Sequence, residues 1–176
     1  TEFNPDTGKD ICLLSIEDGD TAKPLWHESW IERNAVFSPN GKWIAYQSSQ
    51  EGRTEIYVAS YPELVPKKIS TNGGKNPLWS SDGKELFYRA NDKMLDKMMV
   101  ARIETDPELK VTSTEMLFKI VDYLSDERRN YDVSGKGEDL RFLMVKEHED
   151  RPAASQLIVV QNWFEELKRK MQTGED

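Results

Sequence analysis

The stretch Phe37-Ser38-Pro39-Asn40-Gly41-Lys42-Trp43-Ile44-Ala45-Tyr46 decides the fold, because it joins a tight turn to an apolar strand and then occurs again. The second copy, Trp79-Ser80-Ser81-Asp82-Gly83-Lys84-Glu85-Leu86-Phe87-Tyr88, follows the first by 42 residues. A diverged third copy runs from Val133 to Met144 and has two additional residues after its turn. A period of about 40 residues that holds several short strands is typical of one β-propeller blade. The sequence therefore predicts a repeat protein.

Each repeated turn has the residues that a tight connection between two strands needs. Ser38 can bond the backbone that follows, Pro39 sets φ for the second position, and Gly41 accepts the positive φ that closes such turns. The equivalent turn residues are Ser80, Asp82 and Gly83 in the second copy and Ser134 and Gly137 in the third. The third copy has Gly135-Lys136-Gly137 in place of Pro-Asp-Gly and two additional residues, so we expect a turn of different geometry there.

Apolar runs between the turns predict an all-β chain with antiparallel four-stranded sheets. We expect a single partial β-propeller domain at 1–176, with about three blades, the outer strands of another and a short C-terminal helix. Asn162, followed by Glu165 as in a capping box, marks the start of that helix. The predicted units are a blade remnant at 9–28, blades at 32–72, 75–119 and 129–161, and a helix at 162–171.

The composition disfavours several classes of function. The 176 residues carry 32 Asp and Glu against 24 Lys and Arg, a net charge of −8, which opposes binding to the phosphates of a nucleic acid. No stretch approaches the ~20 consecutive apolar residues of a membrane span, so we expect no membrane insertion. Cys12 is the single cysteine, which excludes an internal disulfide and leaves the compartment open.

Residue patterns for catalysis and metal binding are absent from this sequence. It contains no G-x-S-x-G elbow of the kind that serine hydrolases of the propeller-linked type use. Its two histidines, His27 and His148, lie 121 residues apart, and neither has cysteines or acids at the spacing of zinc ligands. We therefore expect no catalytic residues, no metal and no cofactor, and we classify the chain as not an enzyme.

A base and an asparagine precede each repeated turn, five and four residues before its serine. These pairs are Arg33 and Asn34, Lys75 and Asn76, and Arg129 and Asn130. Because the first strand of each propeller blade lines the central channel, we expect the pairs to form a ring at one mouth of it.

Two interpretations of this ring stay open. In the first, the asparagines satisfy backbone groups where the chain enters the inner strand, and the bases pair with carboxylates such as Glu28 and Glu32. In the second, the ring is a ligand site that binds anions or the carboxylates of a peptide.

The repeat at Phe37 to Tyr46 closely resembles the repeat of the TolB-like, WD40-like β-propeller proteins. More narrowly, the run from Ile11 to Met171 is similar to the C-terminal part of bacterial TolB-like propellers, including Glu85-Leu86-Phe87-Tyr88 and the ending at 162–168. Such propellers are often attached to membrane-bound serine/threonine kinases or to transcriptional regulators. The resemblance implies a scaffold that binds proteins or small ligands, without a common reaction, and it favours a periplasmic or extracytoplasmic location.

We therefore expect a non-catalytic binding or protein interaction scaffold whose partner is a protein or peptide. The alternative is an accessory propeller domain of a larger enzyme, either a prolyl-oligopeptidase-type hydrolase or a kinase-linked sensor. Six blades of this type need roughly 250 residues. We expect this chain to be either the C-terminal portion of a longer protein or an arc that associates with a second copy through its open edges.

Overall fold

The computed structural model describes residues 2–4, 8–15, 21–26, 28–92, 95–106, 108–121 and 128–146. The predicted C-terminal helix, both histidines and residues 147–161 of the last predicted blade lie outside the described residues. Among the described residues, no helix is long and apolar enough to cross a membrane.

The described residues form strands and one short 3-10 helix at Gly137–Asp139. The strands are β1 (Glu2–Asn4), β2 (Gly8–Asp10), β3 (Cys12–Leu13), β4 (Lys23–Pro24), β5 (Glu32–Phe37), β6 (Trp43–Ser48), β7 (Glu55–Ser60), β8 (Pro66–Lys68), β9 (Lys75–Trp79), β10 (Glu85–Asp92), β11 (Leu95–Glu104), β12 (Lys110–Ile120), β13 (Tyr131–Ser134) and β14 (Arg141–Met144).

Two four-stranded antiparallel sheets form the centre of the fold. The first has the strand order β5-β6-β7-β8, and the second has the order β9-β10-β11-β12. Each strand pairs with its neighbour in the chain, which is the meander typical of a propeller blade. The prediction of an all-β chain built from antiparallel sheets is confirmed, whereas the number of blades and their bounds stay predictions.

Smaller sheets lie on either side of this pair along the chain. Strands β3 and β4 pair before the first sheet, and β13 and β14 pair after the second. Strand β3 has two residues, and Leu14 beyond it is 57% exposed. Its partner strand contains Pro24, which has no amide to donate and so limits the ladder.

A hairpin of β1 and β2 precedes these sheets. Each of its strands has three residues. A strand of that length shows no period of alternation that a sequence pattern could reveal.

The two central sheets enclose one apolar core between them. The first sheet contributes Ala45, Ile56 and Val58, and the second contributes Leu86, Tyr88 and Ile103. A second core lies between the β3-β4 pair and the first sheet, and a third lies between the second sheet and the β13-β14 pair. Members of the second core are Ile11, Ile44, Tyr46, Tyr57 and Ala59, and members of the third are Phe87, Met98, Val100, Ile120 and Tyr131.

Adjacent residues of one strand therefore pack in different cores. In β6, Ile44 and Tyr46 face the core before the sheet, while Ala45 faces the core after it. Successive side chains of a strand point to opposite faces, so a sheet buried on both faces needs a continuous apolar run. This requirement explains why the repeat ends in Ile44-Ala45-Tyr46 and Leu86-Phe87-Tyr88 without alternating polar residues.

Candidate functional site

The first two repeated turns have the same side-chain hydrogen bonds. The Ser38 hydroxyl donates to Asn40 Oδ1 at 2.8 Å and accepts from the Trp43 amide at 3.0 Å. In the second copy the Ser80 hydroxyl donates to Asp82 Oδ1 at 2.8 Å and accepts from a backbone amide in the same way. The bond from Ser80 is the main cause that lowers the pKa of the Asp82 carboxyl. Both turns are therefore held by their own side chains.

The third turn is built differently. Gly135 and Gly137 both have positive φ, at 80° and 55°, and the 3-10 helix begins at Gly137. A Cβ at Gly135 would lie 2.1 Å from the carbonyl oxygen of Asp139, so only glycine fits there.

Asn34 and Asn76 occupy the same irregular position in the first strands of the two central sheets. Their φ angles are 55° and 57°, and the pairing register shifts beside each of them. Asparagine is the residue other than glycine that adopts the left-handed region most readily, and extra residues of this kind form β-bulges. The backbone alone thus supplies a reason for the recurrence of asparagine.

The side chains of these two asparagines connect the central sheets. Asn34 Nδ2 donates to Asn76 Oδ1 at 2.6 Å and to Gln47 Oε1 at 3.0 Å. Gln47 Oε1 also accepts from the Asn76 amide at 3.0 Å, and Asn76 Nδ2 donates to the carbonyl of Arg128 at 3.2 Å. Asn76 is fully buried, so this network satisfies polar groups that water cannot reach.

Arg89 takes the corresponding position one sheet further, 42 residues after Gln47. It is fully buried, and it donates to Asn130 Oδ1 at 2.7 Å and to Asp96 Oδ2 at 2.5 Å. Asn130 therefore binds to Arg89, whereas Asn34 and Asn76 bind to each other. The sequence prediction missed Gln47 and Arg89, although both stand 13 residues after an asparagine of the repeat, and that spacing could have identified them.

The three predicted bases have three different surroundings. Arg33 is half-buried and pairs through its backbone with Gln47. Lys75 Nζ lies 3.9 Å from Asp96 Oδ2. Arg129 is exposed, and no hydrogen bond or ion pair of its side chain is found among the described residues. The bases thus do not form a uniform ring.

Arg129 lines a cavity of about 260 Å³ on the side of the inner strands. The cavity is lined by Asn34, Ala35, Val36, Pro77 and Arg129. Of the predicted site residues, the structure brings Asn34 and Arg129 to this cavity, while Arg33, Lys75, Asn76 and Asn130 do not line it. A guanidinium has five donors in a planar fork, which suits a carboxylate of a ligand.

Glu32 is a buried carboxylate at the start of β5. Burial raises its pKa to about 7, helped by the charges of Asp10 and Glu28 and opposed by a hydrogen bond from Ser48. The Ser48 hydroxyl donates to Glu32 Oε1 at 3.4 Å, while Oε2 has no hydrogen-bond partner among the described residues. Among the described residues, neither Glu32 nor Glu28 forms an ion pair with the predicted bases, whereas Lys75 lies near the carboxylate of Asp96. Pairing of the bases with carboxylates therefore stays one interpretation of the predicted ring. No group of three or more potential metal ligands occurs within the described ranges.

The stacked antiparallel sheets have counterparts among solved structures. A TolB protein of Agrobacterium tumefaciens superposes with a TM-score of 0.53 at 21% identity, over 63% of this chain and 41% of that one. The chain has the fold of a TolB-like β-propeller. TolB from Acinetobacter baumannii gives a TM-score of 0.47 at 18% identity, over 66% of this chain and 27% of the Acinetobacter chain. At these identities the likeness concerns the fold alone.

Sequence comparison finds a local similarity to two proteins of other organisms. The propeller is 33% identical over 87 residues to "Probable dipeptidyl-peptidase 5" of Arthroderma benhamiae, and equally to that of Trichophyton verrucosum. The match covers 42% of this chain and 12% of each relative, so the chain spans a small part of their length. No protein-family model matches the chain.

Proposed function

We propose that this propeller is a non-catalytic binding module that holds a protein or peptide partner at the cavity beside Arg129. The observation that supports this function is the exposed Arg129 guanidinium, which has no partner among the described residues and lines a cavity of about 260 Å³. That volume is slightly below the lower end of ligand pockets, about 300 Å³. It suits one carboxylate-bearing side chain or chain end better than a whole cofactor.

The residues that line the cavity have different roles in binding. The amide nitrogen of Asn34 already donates to Gln47 and to Asn76, so Arg129 is the charged donor for the partner. Ala35 and Pro77 supply an apolar wall. Because the chain has a net charge of −8, a strongly acidic partner is repelled at a distance, and a single carboxylate is the better ligand.

The test is a binding titration with a fluorescein-labelled tetra-alanine peptide that has a free C-terminal carboxylate. We expect R129A to weaken binding about tenfold, since a charge-assisted hydrogen bond contributes about 1.5–3 kcal/mol. The same peptide with a C-terminal amide should bind to the unmodified chain as weakly as the free acid binds to R129A.

The matched control is R141A, which removes an exposed base from β14, away from the cavity. Equal affinity of R129A and R141A for the free acid would contradict the proposal.

A second candidate is the propeller part of a larger peptidase-type enzyme. The local identity of 33% to two proteins named probable dipeptidyl-peptidase 5 supports it. In that case a catalytic part other than these residues performs the reaction, and the propeller positions the peptide.

A dipeptidyl p-nitroanilide substrate tests this second candidate. We expect the complete gene product to release p-nitroaniline and this propeller alone to release none. A complete product without activity, together with peptide binding that depends on Arg129, would leave the binding module as the function.

A further inference from the structure

A second, larger cavity lies between the first two repeated turns. Its volume is about 590 Å³, and it shares no lining residue with the cavity beside Arg129. The walls come from Ser38–Asn40 in the first turn, Asp82–Lys84 in the second turn and Ile103–Asp106 at the end of β11. This volume falls within the range of about 300–1,000 Å³ that ligand pockets occupy.

Stacking of the two sheets brings the turns side by side. A Cβ on Gly83 would lie 3.4 Å from Pro39 Cδ, so the proline ring packs close to the second turn. Asn40 and Asp82 are each held by the serine of their own turn. The two turns therefore supply lining side chains that are held in position by hydrogen bonds.

The charges on the lining are mostly negative. Asp82, Glu104 and Asp106 are acidic, and Lys84 is the basic member. Accepting from the Ser80 hydroxyl lowers the pKa of Asp82 and keeps it ionised. Glu104 and Asp106 have exposed side chains, and no ion pair engages them within the part of the chain that the structure describes.

An aromatic wall accompanies these carboxylates. Trp43 is half-buried, because it packs against the core between the central sheets while it also lines the cavity. The face of an indole attracts cations, and a planar guanidinium can stack on it. A cavity with one aromatic wall and acidic residues at its edge favours a ligand that carries a positive charge on an apolar stem.

We propose that this cavity binds a basic side chain of a partner protein, an arginine in preference to a lysine. The guanidinium stacks on Trp43 and donates to the carboxylates of Glu104 and Asp106, and its aliphatic stem lies against Pro39. The net charge of −8 adds a general attraction for basic segments. This site is separate from the cavity beside Arg129 and recognises the opposite charge.

A fluorescein-labelled hexa-arginine peptide tests the proposal by fluorescence anisotropy at low salt. We expect the double variant E104Q/D106N to bind about tenfold more weakly, since it removes both carboxylates that pair with the guanidinium. The control E138Q/D139N makes the same change of charge at two exposed residues of the 3-10 helix, outside the cavity, and it should bind as the unmodified chain does. A hexa-lysine peptide should bind more weakly than hexa-arginine.

Several results would overturn the proposal. Equal weakening in both double variants would show general attraction to an acidic chain. Affinity of free spermidine equal to that of the peptide would identify a small polyamine as the ligand.

R129A should leave hexa-arginine binding unchanged, so failure of this proposal is distinguishable from failure of the proposed peptide site. Thermal unfolding of the variants checks that each is folded.

Discussion

At the scale of single residues, Asn76 makes hydrogen bonds to more groups than its position in the sequence repeat indicates. Its side chain bonds to Asn34 and to the carbonyl of Arg128, and its own carbonyl accepts from the Tyr131 hydroxyl at 2.6 Å. It does so with φ at 57°, where residues with a Cβ are strained. Three successive sheets thus meet at one buried amide.

We expect N76A to lower the free energy of unfolding by about 3 kcal/mol, because it removes buried hydrogen bonds and adds backbone strain. N76G keeps the backbone relaxed and should cost about 1 kcal/mol less. Urea unfolding followed by tryptophan fluorescence measures both. The exposed Asn72 serves as the control, and N72A should change stability by less than about 0.5 kcal/mol. Equal stability of N76A and N72A would contradict the role given to Asn76.

Glu32 makes stability depend on pH. Its pKa is about 7 in the fold against an ordinary value of 4.5, so the fold favours the protonated form. The free energy of unfolding should therefore fall as the pH rises from about 4.5 to about 7, by up to about 3 kcal/mol. E32Q removes this titration. The free energy of unfolding of E32Q, minus that of the unmodified chain, should therefore be larger at pH 8 than at pH 5. Parallel pH profiles of the two proteins in urea unfolding would refute this cause.

At the scale of elements, the turns of the three repeats differ in how much their serines contribute. Ser80 is 3% exposed and makes two side-chain hydrogen bonds, whereas Ser134 is exposed. We expect S80A to lower the free energy of unfolding by about 1–2 kcal/mol and S134A to have almost no effect. The difference between the two midpoints in urea measures the contribution of the turn. Equal midpoints would mean that the strands alone position it.

Turns and strands could be predicted because their signals are local. Ser38, Pro39 and Gly41 determine a connection within a few residues, and the apolar runs that follow indicate sheets buried on both faces. The hydrogen-bond network of the repeated asparagines was only partly predictable. Arg89 meets Asn130 from 41 positions away, and only the stacking of sheets creates that contact. The bulge at Asn34 is a backbone conformation, which residue spacing along the chain does not display.

At the scale of the whole molecule, apolar side chains in β14 and directly after it are in contact with solvent. Leu143 is 75% exposed and Val145 is 52% exposed. Exposed apolar surface of this kind favours association. We expect light scattering of the chain to show a dimer or larger species, and L143K/V145K to shift it toward a monomer. A monomer of the unmodified chain with cooperative unfolding would contradict self-association.

Each central sheet packs against two cores. For this reason the effect of an insertion or deletion on the chain depends on its length. Deleting one residue within β6 would exchange Ile44 and Ala45 between the two cores, and both would lose their fit at once. Copying a whole 42-residue unit does no such harm, because the new sheet presents the same two faces as its neighbours. Chains of this kind therefore tolerate gain or loss of entire repeats far better than small insertions in their strands. The first two units share a serine, a glycine and a lysine in their turns, at Ser38, Gly41 and Lys42 and again 42 residues later.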